Sequence, residues 1–460
     1  QITAGTRSGD AVLFAPQLAT RIKRSFHTDT PFPPEEPAGG MQCYCYSSVM
    51  SMPPFRNLLM PPGTLPDARL LLAARALRAF GDGYVSLLLP YYLTLLGYSA
   101  LEIGLLVTAT LLGSGLMTLA IGFIAHRHST RYLLLAASVL MGLTGFAAAV
   151  FTDFWPLLII AVIGTLNPSA SDVTPFSPLE QTLLARAATP QSRTALFARY
   201  SLIGALVAAI GAQAAGVPDL FSAGGDPARL LTVRVMFVLY GVLGLASLLL
   251  YRSLSPALEA QTHEQPVPLG KSRRIVYTLA ALFSIDAFAG GFAVQSLLAL
   301  WLLQRFDLSV ATAGNIFFWT GLLTAFSHLA AARVAARFGL INTMVFTHLP
   351  ANLFLILVPF MPTLELALLF LFLRSALSSM DVPARTSYVM AVVSPGERPA
   401  AASVTAVPRS LASALSPSIA GALLVASPFG LPLVIFGALK IVYDLTLLRM
   451  FRAVKPPEEH

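Results

Sequence analysis

Long apolar segments alternate with short polar breaks along most of the chain. Each segment is close to or above the roughly 20 residues that a helix needs to cross a bilayer. From Arg69 onward this pattern predicts twelve membrane spans, at residues 70–97, 102–122, 131–151, 155–186, 194–217, 230–251, 274–303, 310–332, 340–360, 363–392, 400–426 and 429–451. The predicted fold class is therefore an all-α membrane protein with twelve transmembrane helices.

The longest polar break falls between the sixth and seventh spans. It contains Pro256, Pro266 and Pro268 together with charges of both signs, which is typical of a linker. The chain before the first span is rich in Pro, Ser and Thr and has no apolar run of spanning length. The expected organisation is a disordered polar tail, an N-terminal six-helix half, a cytoplasmic linker, a C-terminal six-helix half and a C-terminal tail, at residues 1–66, 67–251, 252–273, 274–452 and 453–460.

Composition agrees with a membrane protein and excludes a soluble one. Of the 460 residues, 56% are hydrophobic and 11% are charged, whereas soluble domains carry roughly 25% charged residues. The net charge of +8 does not indicate a nucleic-acid partner, because most Lys and Arg residues between spans fall on one side. The other side holds only Arg229, Arg234 and Arg305. The positive-inside rule then places both termini in the cytoplasm.

Sequence motifs for catalysis or cofactor binding are not found. The two cysteines, Cys43 and Cys45, lie in the polar tail without a His or Cys cluster around them, so no metal site is expected. The chain has no phosphate-binding Gly-rich loop, no zinc-protease motif and no nucleophile elbow. We therefore expect no enzyme activity and no cofactor, and any transport would draw on an ion gradient.

The two predicted halves carry traces of an internal repeat. Residues 190–193, Pro-Gln-Ser-Arg, are matched 205 positions later by residues 395–398, Pro-Gly-Glu-Arg. Residues 79–84 are echoed by residues 287–292, and Asp172-Val173 by Asp381-Val382. Weak similarity between two six-span halves is typical of duplicated transporters, which bind their solute near the bilayer midplane between the halves.

The segment between the second and third spans resembles a motif of a known family. From Gly122 to Arg131 the chain resembles the Gly-x-x-x-Asp-Arg-x-Gly-Arg loop of the major facilitator superfamily, with His126 in place of the Asp and Ser129 in place of the second Gly. The second copy keeps Arg337-Phe338-Gly339 and also lacks the acid. The resemblance, over residues 69–452, implies two pseudo-symmetric halves that alternate access, with gating-loop candidates Gly122, His126, Arg127, Arg131, Arg337 and Gly339.

Ionisable residues inside the spans are the candidates for proton coupling, because each costs about 2.5–3.5 kcal/mol to insert and is therefore rarely accidental. They are Asp82, Asp172, Glu180, Asp286 and Asp381. Asp82 follows Arg78 by one helical turn, so an ion pair and a proton site both stay open. Asp286 is the counterpart of Arg78 in the repeat, which suggests a salt bridge between the two. Asp381 and Arg385 are four residues apart, a spacing at which they can pair on one helix. Asp172 has no oppositely charged neighbour, which favours it as the proton carrier.

Other polar residues in the spans are candidates for the substrate cavity: Arg78, Asn167, Arg199, Gln213, Gln295, Asn315, Trp319, Arg374, Arg385 and Arg409. Spans three, six, nine and twelve lie outside the cavity in the superfamily, so His348 and a Lys440–Asp444 pair are expected to be packing groups. The prolines Pro168, Pro175 and Pro178 predict that span four cannot keep its full hydrogen-bond ladder.

The sequence thus predicts a monomeric secondary active transporter, coupled to protons or another ion, that moves a small organic solute across the bacterial inner membrane. The five arginines among the cavity candidates equal the five acidic proton-coupling candidates in number, which leaves the charge of the solute open. A multidrug exporter is an alternative, although the Gly-Pro motif of such exporters is absent from span five. A non-transporting receptor or lipid-handling scaffold is the alternative outside transport.

Overall fold

The described part of the chain is almost entirely helical. The computed structural model describes residues 60, 63–124, 127–169, 174–258, 269–270, 272–393 and 397–451, which form fifteen α-helices and no named strand. In chain order the helices are α1 Asp67–Leu95, α2 Ala100–Ile124, α3 Thr130–Val150, α4 Phe154–Ile163, α5 Phe176–Arg186, α6 Pro190–Ala214, α7 Gly225–Arg252, α8 Arg273–Gly291, α9 Gln295–Phe306, α10 Val310–Phe338, α11 Leu340–Leu357, α12 Leu364–Leu377, α13 Asp381–Ala391, α14 Arg398–Ala426 and α15 Leu431–Phe451.

Ten helical segments of the described residues are long and apolar enough to cross a membrane. They correspond to the predicted spans two, three and five to twelve. The segment of predicted span one, α1, has 29 residues, which exceeds the spanning length, but it carries Arg75, Arg78 and Asp82 in its interior. Predicted span four is divided between the short helices α4 and α5.

Three of the predicted spans are discontinuous in the structure. In span 155–186, α4 ends at Ile163 and α5 begins at Phe176 with Pro175 as its N-cap, which agrees with the ladder break predicted from the prolines. Spans 274–303 and 363–392, each predicted as one apolar span, are also interrupted. The helix of the first is interrupted between Gly291 and Gln295, and that of the second between Leu377 and Asp381.

The segments entering the first and eighth helices are anchored in similar ways. Thr64 forms a backbone bridge with Ala188, and Leu65 N donates to Ala187 O at 2.8 Å. Residues 63–66, which the sequence assigned to the disordered tail, are therefore held against the end of α5. Before α8, Gly270 N donates to a carboxylate oxygen of Glu397, which lies just before α14.

Small residues allow the helices before and after the linker to approach closely. We call residues 63–258 the N-terminal segment and residues 269–451 the C-terminal segment. A side chain at Gly104 of α2 would meet Pro417 and Gly421 of α14. Small residues at such a contact let two helices pack closely inside a membrane.

A second contact of the same kind joins α6 to α10. Gly216, just after α6, lies against Ala311, and Gly314 lies against Ala212. Both contacts lie where α2 and α10 begin and where α6 and α14 end. These ends are on one side of the helices in the predicted topology.

Candidate functional site

A buried ion pair in the N-terminal segment joins α1 to α5. Arg78 pairs with Glu180, whose carboxylate also accepts hydrogen bonds from the hydroxyls of Tyr200, at 2.6 Å, and Tyr251. The Nε of Arg78 donates to the Tyr251 hydroxyl at 3.2 Å. Four helices, α1, α5, α6 and α7, therefore converge on one carboxylate.

This cluster is closed off from solvent. Arg78 is 1% exposed and Glu180 is 0% exposed, and the Arg78 guanidinium lies 4.2 Å from the centre of the Phe176 ring. A buried charge is tolerated only when it is paired and hydrogen-bonded, and each partner here meets that condition. The suggested Arg78–Asp286 bridge is wrong, because Arg78 is satisfied inside its own segment.

Asp82 lies one turn along α1 from Arg78 and has a different partner. The Nδ2 atom of Asn167 donates to an Asp82 carboxylate oxygen at 3.2 Å. Asn167 lies in the irregular stretch after α4 and is 2% exposed. The break in predicted span four thus brings a proton-coupling candidate and a cavity candidate together.

A larger charge network lies in the C-terminal segment. The guanidinium of Arg385 on α13 contacts Asp286 of α8 at 3.0 Å and Asp381 of its own helix at 3.0 Å. Lys440 of α15 reaches the other carboxylate oxygen of Asp286 at 2.8 Å. The Asp381–Arg385 pair confirms the pairing predicted from sequence, whereas the contacts to Asp286 were not predicted.

The two clusters occupy related places in the chain with their charges exchanged. Asp286 follows Arg78 by 208 positions and Arg385 follows Glu180 by 205, close to the 205-residue offset of the sequence repeat. In the first segment the cation is on the long entry helix α1 and the anion is on α5. In the second segment the anion is on α8 and the cation is on α13.

A further buried polar group lies between α11 and α15. His348 Nδ1 is 3.0 Å from Asp444 Oδ1, and Asn352 Nδ2 donates to Asp444 Oδ2 at 3.0 Å. These three residues are 3%, 0% and 1% exposed. The predicted pairing of Lys440 with Asp444 is therefore replaced by two separate partners, Asp286 for Lys440 and His348 for Asp444.

The remaining cavity candidates are spread along the helices. Gln295 Nε2 of α9 donates to Ser86 Oγ of α1 at 2.9 Å and joins the two segments. Arg374 lies over the Phe436 ring at 5.2 Å, and Arg409 on α14 lies within electrostatic range of Arg385. Arg199 is partly buried on α6, while the side chains of Gln213, Asn315 and Trp319 are exposed.

The gating-loop candidates lie at two helix connections. Arg131, at the start of α3, donates to the carbonyl of Arg252 at the end of α7, and Arg127 N donates to Ile124 O at 2.9 Å. A side chain at Gly122 would meet nothing within 4 Å. In the second copy, Arg337 stacks beside Phe338 and Gly339 has a φ of +83°. His126 and Asp172 lie outside the described residues.

Sequence reasoning missed Tyr200 and Tyr251, and it treated Lys440, His348 and Asp444 as packing groups. A pairing signal was present for Lys440 and Asp444, which are four residues apart, but that spacing indicated the wrong partner. No group of three or more His, Cys, Asp or Glu side chains that fits a metal ion occurs in the described ranges.

Comparisons with known proteins agree with the helical topology. Residues 71–373 match the family model described as Major Facilitator Superfamily. An uncharacterized membrane protein of Saccharomyces cerevisiae is 25% identical over 423 residues, which cover 84% of this chain and 94% of the relative.

Solved structures show the same fold. The nucleoside transporter NupG superposes with a TM-score of 0.64 at 16% identity, over 84% of this chain and 100% of that chain. A bacterial homologue of the iron transporter ferroportin in an inward-facing state gives a TM-score of 0.64 at 15% identity, over 83% and 98%. The human organic anion transporter MFSD10 gives 0.59 at 18%, over 83% and 100%.

Proposed function

Because the chain belongs to the Major Facilitator Superfamily and is a multi-pass integral membrane protein of a transporter family, we propose that it is a proton-coupled secondary active transporter of a small organic solute. It works as a monomer by alternating access. The α1 helix and the α4–α5 pair complete twelve spans, and residues 67–251 and 274–452 form two pseudo-symmetric halves with both termini in the cytoplasm.

The observation that carries the proposal is the network of Asp286, Arg385, Asp381 and Lys440. Asp286 lies 13 residues into α8, about 20 Å along the helix axis, in the middle of an apolar segment. Charges at that depth are expensive and mark ion or solute pathways. Two of them are supplied by α13, the second part of a discontinuous helix. A carboxylate that shares cations in this way provides a place where proton or solute binding changes the charge balance.

The contacts between the segments support an inward-facing state. Close approaches occur between the start of α2 and the end of α14, and between the end of α6 and the start of α10. Gln295 and Ser296 of α9 add hydrogen bonds to Ser86 and to the carbonyl of Pro168. In the predicted topology all of these lie on the outer side, so the cavity between the halves opens towards the cytoplasm.

Buried cations favour an anionic solute. The Nε atoms of Arg374 and Arg409 are buried and have no hydrogen-bond partner among the described residues. An unpaired buried donor is costly, and a carboxylate or phosphate group of a solute would satisfy it. A non-transporting scaffold on the same fold would bind no solute that could satisfy these donors. The multidrug exporter is the second candidate, because it has the same fold and is also driven by an ion gradient.

Transport assays in proteoliposomes test the proposal. Purified protein is reconstituted, and uptake and efflux of a panel of organic anions, nucleosides and cationic drugs are measured with and without a pH gradient. We expect accumulation of an organic anion only when the gradient is present. Asp286→Asn should abolish it, whereas Asp307→Asn, an exposed left-handed position that asparagine adopts readily, should not. Equal accumulation without the gradient would exclude proton coupling.

A further inference from the structure

The His348–Asp444–Asn352 group is buried between α11 and α15. His348 lies eight residues into α11 and Asp444 lies seven residues before the end of α15, each about 10–12 Å along its helix. The two helices approach closely there, because a side chain at Gly437 of α15 would meet Asn352 and Ile356 of α11. An imidazole in such a place is hidden from water, yet it is held against a carboxylate.

Both oxygens of the Asp444 carboxylate have fixed partners. The amide nitrogen Nδ2 of Asn352 can act only as a donor, so Asp444 Oδ2 accepts its hydrogen bond. The other carboxylate oxygen, Asp444 Oδ1, lies 3.0 Å from His348 Nδ1. A proton therefore lies between Nδ1 and Oδ1. The second ring nitrogen of His348 takes another proton when the imidazole becomes imidazolium.

Lys440 connects this group to Asp286. It precedes Asp444 by one helical turn, so the two side chains share a face of α15. Its ammonium contacts Asp286 at 2.8 Å, while Asp444 is occupied by His348 and Asn352. When His348 carries a positive charge, Asp444 is neutralised by it and Lys440 is left to Asp286. A neutral His348 would leave the charge of Asp444 free to attract Lys440 and so weaken its contact with Asp286.

The other charged groups around the site are few. From α15 the pair faces Tyr443, whose ring centre is 6.4 Å from that of His348, and Lys440. Asp286 of α8 lies within electrostatic range of His348. Arg385 of α13 is paired with Asp286. The helix α12 contributes Arg374, stacked on Phe436. Beside the start of α11, α10 carries His328, Arg333 and Arg337.

We propose that His348 and Asp444 form a proton-binding site between α11 and α15, and that Lys440 transmits its protonation state to Asp286. This rests on the proposed proton coupling and names a site for it outside the interface between the two halves. The proton added at His348 and the charge shift of Lys440 are reversible, and no bond other than N–H is made or broken.

Nitrogen-15 NMR of histidine-labelled full-length protein tests the site without a solute. We expect one imidazole resonance that titrates with pH in the wild type and is missing in His348→Gln, which keeps a donor for Asp444 but binds no proton. The midpoint of this resonance should shift in Asp444→Asn and in Lys440→Gln. His328→Gln serves as the matched control and should leave it unchanged.

The outcomes separate this inference from the proposed function. If the His348 resonance does not titrate, or if Lys440→Gln leaves its midpoint unmoved, the inference is overturned even when transport is driven by a proton gradient. In proteoliposomes His348→Gln should lose accumulation driven by the gradient and keep solute exchange. Undiminished gradient-driven accumulation in that variant also overturns it.

Discussion

At the scale of single residues, the charged side chains show which contacts a sequence reveals. Asp381 and Arg385 are four positions apart on one helix, so their pairing could be predicted from spacing alone. Arg78 and Glu180 are 102 positions apart, and only the packing of α5 against α1 brings them together. Lys440 lies one helical turn from Asp444, yet α11 packs against α15 there and Asp444 pairs with His348 instead.

Removing one member of the Arg78–Glu180 pair should be costly. Glu180→Gln removes the ion-pair partner of the fully buried Arg78, which should lower the free energy of unfolding by about 3–5 kcal/mol. Asp226→Asn is the matched control, because Asp226 is 79% exposed and its pair with Arg229 spans 3.5 Å. That change should cost less than about 1 kcal/mol. Denaturation midpoints in detergent measure both, and similar values would contradict the account.

The two carboxylates that share Arg385 should differ in importance. Asp381→Asn leaves Arg385 paired with Asp286, whereas Asp286→Asn removes a partner from Arg385 and from Lys440. We therefore expect a larger loss of thermal stability in Asp286→Asn. Adding Lys440→Gln should restore part of it, because one uncompensated cation is then gone. A double variant no more stable than Asp286→Asn would show that Lys440 does not depend on Asp286.

At the scale of helices, hydropathy predicts where a span lies but not whether it is continuous. The break between α4 and α5 was predictable, since proline has no N–H for the ladder. The breaks after Gly291 and after Leu377 lie inside single predicted spans, although polar residues follow each one: Gln295 and Ser296 after the first, and Ser378, Asp381 and Pro383 after the second. At the first break Gln295 of α9 contacts Ser86 of α1, a long-range contact that hydropathy does not reveal.

The close approach of α2 and α14 should hold the outer side closed. Gly104→Val places a side chain against the backbone of Pro417 and Gly421 and should separate the two helices. Spin labels on Leu101 and Val425, both exposed, should then report a longer distance by electron paramagnetic resonance. Gly122→Val is the control, because nothing lies within 4 Å of that position. An unchanged distance in Gly104→Val would mean that this contact does not close the outer side.

At the scale of the whole molecule, the two-half repeat of apolar spans and the resemblance of residues 122–131 to a family motif predicted the superfamily that the family model confirms. The positive-inside pattern also predicts the orientation, and this is open to test. In a background with Cys43 and Cys45 replaced by serine, a cysteine at Leu220 should react with an impermeant thiol reagent in intact cells. A cysteine at Ser253 should react only after permeabilisation. The reverse result would invert the proposed topology.

In the proposed transporter, solute and proton movement are linked through the Asp286 network. The most direct test loads proteoliposomes with a pH-sensitive dye in weak buffer and adds a solute that the transport panel has identified, without any imposed gradient. Solute entry should change the internal pH in the wild type, and Asp286→Asn should abolish this change. Solute entry in the wild type with no movement of protons would contradict it.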